Sequence, residues 1–498
     1  MIRNSSLLAL GVALCGSIAV TPAHAETLAQ AIASAYETNP DLAAQRAVVR
    51  QVDELVPQAL SAGRPTVGVS VSAQQNAVDS FGDGGRTFFG GLSVNQSLYN
   101  GGRTRTATNA ADSRVLAARA RLRAVENQII LDVVTAYSDV LRYAAVVDLN
   151  ANQVKVLERE LQASKDRFEV GDLTRTDVAQ SDARLANARS NEISARGQLS
   201  AARASYLRVV GHFADDLAPL PAQPTLPGTQ GQSVDLANAN NPALIAARFD
   251  ESAARYDVST IERERLPALG VGAGADYQRY SGGSSGSTIG ATGGTTGTGT
   301  GTIPVIPTGS TSGGYFTQNV GLTLTVPIYQ AGAVASRVRQ AQQRRSELLE
   351  AIGSTSRQVT ESATNAFVQI GTARAIIQSS QVAVDANALA LEGVTQENQV
   401  GTRTIIEVLN AQQELLVTKV NLVTARRDEY VGAYTLLAAV GAAEAAALEV
   451  PVQNYNPEVN ARAVRHLIND WNTPKNPPAL PLPDPGVATR SAVIGPQQ

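Results

Sequence analysis

The stretch that decides the fold runs from Gly101-Gly102-Arg103-Thr104-Arg105 to Tyr206-Leu207-Arg208-Val209-Val210-Gly211, with a tight turn at Gly171-Asp172-Leu173-Thr174. In its first arm, apolar residues recur at Val115, Ala118, Leu122, Val125, Ile129, Val133, Ala136, Val140, Ala144, Val147, Ala151 and Val154. Steps of three and four are the period of a helix packed on other helices. No proline interrupts Arg103 to Val170. The reading is one helix of roughly 68 residues, on the order of 100 Å long, then a shorter helix coming back. A globular domain has no use for that span, whereas a protein reaching across a compartment does.

The stretch occurs twice. Ser97-Leu98-Tyr99-Asn100-Gly101-Gly102 returns as Pro327-Ile328-Tyr329-Gln330-Ala331-Gly332, Gly171 returns as Gly401, and Gly211 returns as Gly441. Each pair is shifted by 230. Upstream, Asn39-Pro40-Asp41-Leu42 returns as Asn241-Pro242-Ala243-Leu244 with a shift of 202, which Pro65 and Pro267 keep. A register held over more than a hundred residues marks a tandem duplication. The change of shift places extra residues between Pro267 and Tyr329, where a Gly/Ser/Thr tract runs from Ser281 to Gly314.

Between the short helical segments (Glu26 to Asn39, Asp41 to Ala62) and each long helix, the period drops to two. Val67, Val69 and Val71 alternate with Gly68, Ser70 and Ser72; Leu92 and Val94 alternate with Ser93 and Asn95. In the second copy Leu269, Val271, Ala273 and Ala275 alternate with glycines and Asp276, and Val320, Leu322, Leu324, Val326 and Ile328 with small or polar residues. The expected strands are about 65–75, 88–99, 267–280 and 315–328. Each is about ten residues with one apolar face, the length and pattern of a strand crossing an outer membrane. Aromatics gather near the strand ends: Phe81, Phe88, Phe89, Tyr99, Tyr277, Tyr280, Tyr315, Phe316 and Tyr329. Interfacial girdles place them there. Two ordinary hairpins covered by another sheet is the plainer reading, but no further strands exist to cover them. Four strands cannot close a membrane barrel, for which about eight is the minimum. Two chains supply about eight and three about twelve; Gly, Ser, Thr and Asn on the inner face suit the wetter, wider barrel.

Composition narrows the rest. Arg3, the apolar run from Leu7 to Val20 and Ala23-His24-Ala25 form a secretory signal over 1–25. The single cysteine, Cys15, lies inside it behind Leu14, which does not suit lipidation. The net charge of −3 does not point to nucleic acid. Beyond the signal no run of 18 or more apolar residues occurs, so membrane contact is expected through strands. His212 and His466 lie far apart without metal-ligand spacing, and Gly270-Val271-Gly272-Ala273-Gly274 lacks the helix and lysine of a phosphate loop. No cofactor and no enzymatic activity are expected. The domain reading is a first repeat over 26–220 with its helical hairpin at 102–211. The second repeat spans 221–450 with its hairpin at 332–441, and a proline-rich tail covers 451–498.

The chain resembles the TolC family of outer-membrane channel-tunnels over essentially all of Glu26 to Leu448. The most specific marks are Val400-Gly401-Thr402-Arg403-Thr404-Ile405-Ile406-Glu407-Val408-Leu409-Asn410-Ala411, Arg167-Phe168-Glu169-Val170-Gly171 leading to Thr176-Asp177-Val178, and Leu98-Tyr99-Asn100-Gly101-Gly102. The resemblance implies a mostly α protein with membrane β-strands. It implies a homotrimer whose 12-stranded β-barrel continues as a 12-helix α-barrel through the periplasm. It also implies a periplasmic adaptor and an inner-membrane ABC or proton-driven pump as partners. The periplasmic gate would use Arg403 against Thr176 and Asp177 of a neighbouring hairpin. Glu407 would form a pore ring where the family usually has aspartate. Asn410 stands where a second acid is usual, and Asn398 where a gate tyrosine is usual. The expected function is passive export of drugs or secreted proteins. The alternative from another class is a trimeric surface adhesin or solid coiled-coil stalk.

Overall fold

The computed structural model describes residues 25–75, 86–281 and 314–471. The signal segment, the loop around Asp79 and Phe81, the Gly/Ser/Thr tract and the prolines beyond Asn472 lie outside those residues. The chain order is α1 (Leu28–Thr38), α2 (Pro40–Asp53), α3 (Leu55–Ser61), β1 (Thr66–Gln75), β2 (Arg86–Tyr99), α4 (Arg103–Glu169) and α5 (Arg175–Val210). The pattern repeats as α6 (Gln230–Asn240), α7 (Pro242–Glu262), β3 (Ala268–Ser281), β4 (Gly314–Thr325), α8 (Ala333–Gln399) and α9 (Ile405–Ala439). A short α10 (Glu458–Val464) follows. The two long helices are the same length, 67 residues each.

One expectation fails. The segment from Asp41 to Ala62 is not one helix but two, α2 and α3, parted at Glu54. Pro57 has no N–H to give the carbonyl of Asp53, and its ring crowds that carbonyl. In the second copy the equivalent position is Ser259, and α7 runs unbroken for 21 residues.

The four strands form one antiparallel sheet in the order β1-β2-β3-β4. Register sorts its faces. Val67, Val94, Ala273 and Val320 line up across one face; Gly68, Ser93, Gly274 and Asn319 line up across the other. No part of the described chain covers the apolar face: Val69 is 75% exposed and Val320 81%. Phe88, Tyr277 and Phe316 rim the apolar face at the end away from the helices, and exposed Tyr99 and Tyr329 stand at the helix end. β1 and β4 each pair on one side only among the described residues.

The returning arm α5 packs along one half of α4, and α2 with α3 along the other; α7 bridges α4 and α8. Alanines at the seams (Ala110, Ala111, Ala117, Ala118, Ala120) let backbones approach closely. The main core lies midway along α4, where Ile130, Val133, Val134 and Tyr137 meet α1, α5 and α9. The Tyr137 hydroxyl, fully buried, lies 2.8 Å from the Glu26 carbonyl and 2.6 Å from that of Ala218. Burial pushes its pKa up to about 12. Tyr206 donates to Glu26 Oε2 at 2.8 Å, and burial raises its pKa too. Among the described residues no helix is long and apolar enough to cross a membrane.

Candidate functional site

The residues singled out at the gate all lie at the hairpin ends farthest from the sheet, and both ends are built alike. α4 stops where Gly171 takes φ +82°, with Asp172 N donating to Arg167 O at 2.9 Å. α8 stops where Gly401 takes φ +80°, with Thr402 N donating to Glu397 O at 3.0 Å. Only a residue without a Cβ enters this left-handed cap cheaply, and the six-to-one bond satisfies a carbonyl that the helix leaves free.

The next helices begin differently. Thr174 caps α5: its hydroxyl accepts from Asp177 N at 3.3 Å and donates to Asp177 Oδ2 at 2.7 Å, while Thr174 N donates to the same oxygen at 3.0 Å. These two donors hold the Asp177 carboxyl below the usual carboxylate range. The repeat counterparts are Thr404 and Glu407. Thr404 makes no side-chain cap bond. Glu407, one methylene longer, turns instead to Arg403, whose guanidinium donates to Glu397 Oε2 at 2.7 Å and to Glu407 Oε2 at 3.4 Å. Glu397 first, and then Glu407, hold Arg403 in its charged form. Asn398 donates through Nδ2 to the Arg403 carbonyl at 2.8 Å and so fixes the turn.

Within one chain, therefore, Arg403 and Glu407 come together, but neither Thr176 nor Asp177 bonds to Arg403. Thr176 is exposed and its side chain makes no hydrogen bond among the described residues. Asn410 Oδ1 accepts from Arg184 of α5 at 2.7 Å, tying the two hairpins together. Beneath these polar groups Val154, Leu157, Leu161, Leu185, Ile405, Val408 and Leu409 form one apolar cluster. That cluster seats the α9 end on the first hairpin and leaves Arg403 and Glu407 half-exposed at its surface.

Sequence reasoning missed Glu397 and Arg184. Glu397 sits six residues before Arg403, and only the turn brings them together. Arg184 carries the right charge, but its partner is 226 residues away. No group of His, Cys, Asp and Glu among the described residues could hold a metal ion. The ends offer charge and hydrogen bonding.

The pattern of the family described as "Outer membrane efflux protein" matches residues 31–212 and 233–442, one match on each copy of the repeat. The chain belongs to that family. It is 32% identical to the outer membrane efflux protein BepC of Brucella suis over 469 residues, 94% of this chain and 97% of that one. It is 25% identical to outer membrane protein TolC of Escherichia coli strain K12 over 439 residues, 87% of this chain and 85% of that one. In fold it is similar to the solved structure of CusC, with a TM-score of 0.70 at 16% identity, covering 83% of this chain and 91% of that one. The family's fold is a β-barrel continued by an α-barrel, and this chain supplies four strands and two helical hairpins to it. It is an outer-membrane channel with its tunnel in the periplasm, an export duct of the efflux and type I secretion class. The adhesin or stalk reading falls with that assignment. The relatives are channel proteins, not enzymes. Channels of this family are trimeric and pair with adaptors and inner-membrane pumps.

Proposed function

We propose that this chain works as a homotrimer that carries small toxic molecules out of the periplasm, opened at its hairpin ends by an adaptor and an inner-membrane pump. The single observation that carries the trimer is the sheet. Four strands whose apolar face is uncovered and whose two edges are unpaired among the described residues need neighbours to close. Small-molecule cargo is favoured by BepC, the efflux protein that matches 94% of this chain.

In the proposed gate, Arg403 of one hairpin reaches Thr176 and Asp177 of the neighbouring subunit's hairpin. Asp177 has an oxygen, Oδ1, that its own cap does not use, and the Thr176 hydroxyl makes no hydrogen bond among the described residues. Exposed ion pairs are weak, so a docked partner can break such a lock. Glu407 and Asn410 ring the passage beyond it. Glu407 is paired with Arg403 within the chain, which partly cancels its charge; what remains favours cations over anions in the passage.

Single-channel recording on the purified trimer tests both parts. A duct conducts and a solid assembly does not. Arg403→Ser should raise conductance severalfold; unchanged conductance in both Arg403→Ser and Asp177→Ala channels removes the lock. Cargo is read separately, from growth of a deletion strain on toxic compounds and from its secreted proteins. Loss of secreted protein with unchanged tolerance would reverse the cargo assignment.

A further inference from the structure

The chain beyond the repeats does not simply trail away. It climbs α4 toward the sheet in three steps. Glu458 meets Arg119 at 3.8 Å, Arg465 grips Asp112 through both terminal guanidinium nitrogens at 3.0 and 3.3 Å, and Arg64 donates to the carbonyls of Leu467 at 2.8 Å and Arg465 at 3.4 Å. At 1.5 Å per residue, Arg119 lies about 24 Å and Asp112 about 14 Å from the start of α4. Arg64 stands two residues before β1, and its neighbour Gly63 lies against Thr104, the second residue of α4. Each step is nearer the strands, and the last is at their edge.

The segment then presents three bare apolar side chains: Leu467, Ile468 (76% exposed) and Trp471 (94% exposed). Its side of α4 is the outer one. Ala111 and Val115 face α3 and Thr104 faces Gly63 just after it, while Thr106 and Ser113 face α7. Asp112 and Arg119 lie in the wider arc between those neighbours, the convex side of a curved wall at 100° per residue. Arg105, one heptad before Asp112, shares that side, is exposed, and has no partner among the described residues.

We propose that Arg465 to Trp471 is an interfacial anchor, with Leu467, Ile468 and Trp471 set in the periplasmic leaflet of the outer membrane and Arg105 facing lipid phosphate. The occupant is a phospholipid surface, because the patch is held by Arg64 just before β1, at the level where the strands with their uncovered apolar face leave the membrane. Tryptophan favours that depth, where its ring is shielded and its N–H stays wet. The proposal rests on the strands being the membrane-embedded part, which the family assignment gives. It does not depend on the gate or the cargo.

The protein carries its own reporter, since Trp471 is the sole tryptophan in 498 residues. Full-length trimer is reconstituted in phospholipid vesicles with and without acyl-chain bromination, and tryptophan emission is compared. The expected result is loss of most of the emission in brominated vesicles, with part of it restored by Arg64→Ala, which removes both carbonyl tethers. A second reporter, Ile468→Trp in a Trp471→Phe background, should be quenched likewise. Emission untouched by brominated lipid at both positions would overturn the anchor. It would do so whether iodide reaches the ring, meaning open water, or fails to reach it, meaning cover by a neighbouring subunit.

Discussion

Replacing Gly441 by alanine should be far more damaging than the same change at Gly401, although both glycines end a helix with nearly the same backbone. Gly401 has φ +80° and nothing within 4 Å of where a Cβ would sit. Alanine there meets only the left-handed strain, about 1–2 kcal/mol. Gly441 has φ +76°, and its Cβ would lie 2.5 Å from the carbonyl oxygen of Asn240 and 2.9 Å from the carbonyl carbon. Backbone cannot step aside as a side chain can. The next residue, Asn241, caps α7 through Oδ1 and holds the end of α9 by donating to Ala439 O at 2.9 Å. Moving it loosens two helices at once. Adding a cost of overpacking of about 1–3 kcal/mol gives a total of about 2–5 kcal/mol for Gly441→Ala. Gly211, the first-copy counterpart, faces the Thr38 hydroxyl at 2.9 Å rather than backbone, so Gly211→Ala belongs between the two. The assay is the temperature at which purified trimers of each variant come apart on a gel, with outer-membrane yield beside it. Equal dissociation temperatures for Gly441→Ala and Gly401→Ala would refute the steric reasoning.

Further outcomes follow from the hairpin ends and the core. Glu397→Gln removes the nearer of the two acids on Arg403, so more arginine is free for the neighbouring hairpin; single-channel recording should show a smaller open probability, opposite to Arg403→Ser. Glu407→Gln should lower the cation-to-anion permeability ratio, read from reversal potentials in a salt gradient. The lowered pKa of Asp177 means its cap is intact above the ordinary carboxylate value of about 3.9 and is lost as pH falls through the depressed one. Hydrogen-exchange protection of residues 172–180 should drop in that acid window, and Asp177→Asn should flatten the response. Tyr206→Phe leaves Glu26 Oε2 without its buried donor and should lower stability by about 1.5–3 kcal/mol, measured by the same dissociation temperature.

The periodic parts of the fold were legible because period depends on residue type alone. Val67 to Val71 and Val115 to Val154 announce strand and helix without any partner, and the 230-residue shift pairs Gly171 with Gly401 directly. The break at Glu54 was also written in the chain, in Pro57, but lay within an otherwise helical pattern. The site was legible only in position. Asp177 and Glu407 hold equivalent places in the two copies, yet one caps its helix and the other turns to arginine. That choice depends on a single methylene and on Glu397 brought round by the turn. The climb of the last segment up α4 was not legible at all. Arg64 and Leu467 are separated by 403 residues, and nothing periodic links them.

The equal length of α4 and α8 makes the two halves of the chain answerable to one another. Deleting a single residue from α4 would draw its far end back by about 1.5 Å and swing every later side chain by a little over a quarter turn. Unless α8 lost a residue too, one hairpin would stand proud of the other, and a partner arriving at the periplasmic end would meet an uneven rim. Change in these helices is thus expected in matched pairs. Unmatched length can accumulate only where it alters neither reach nor rotation, as in the stretch between β3 and β4, and there the two copies have indeed drifted apart.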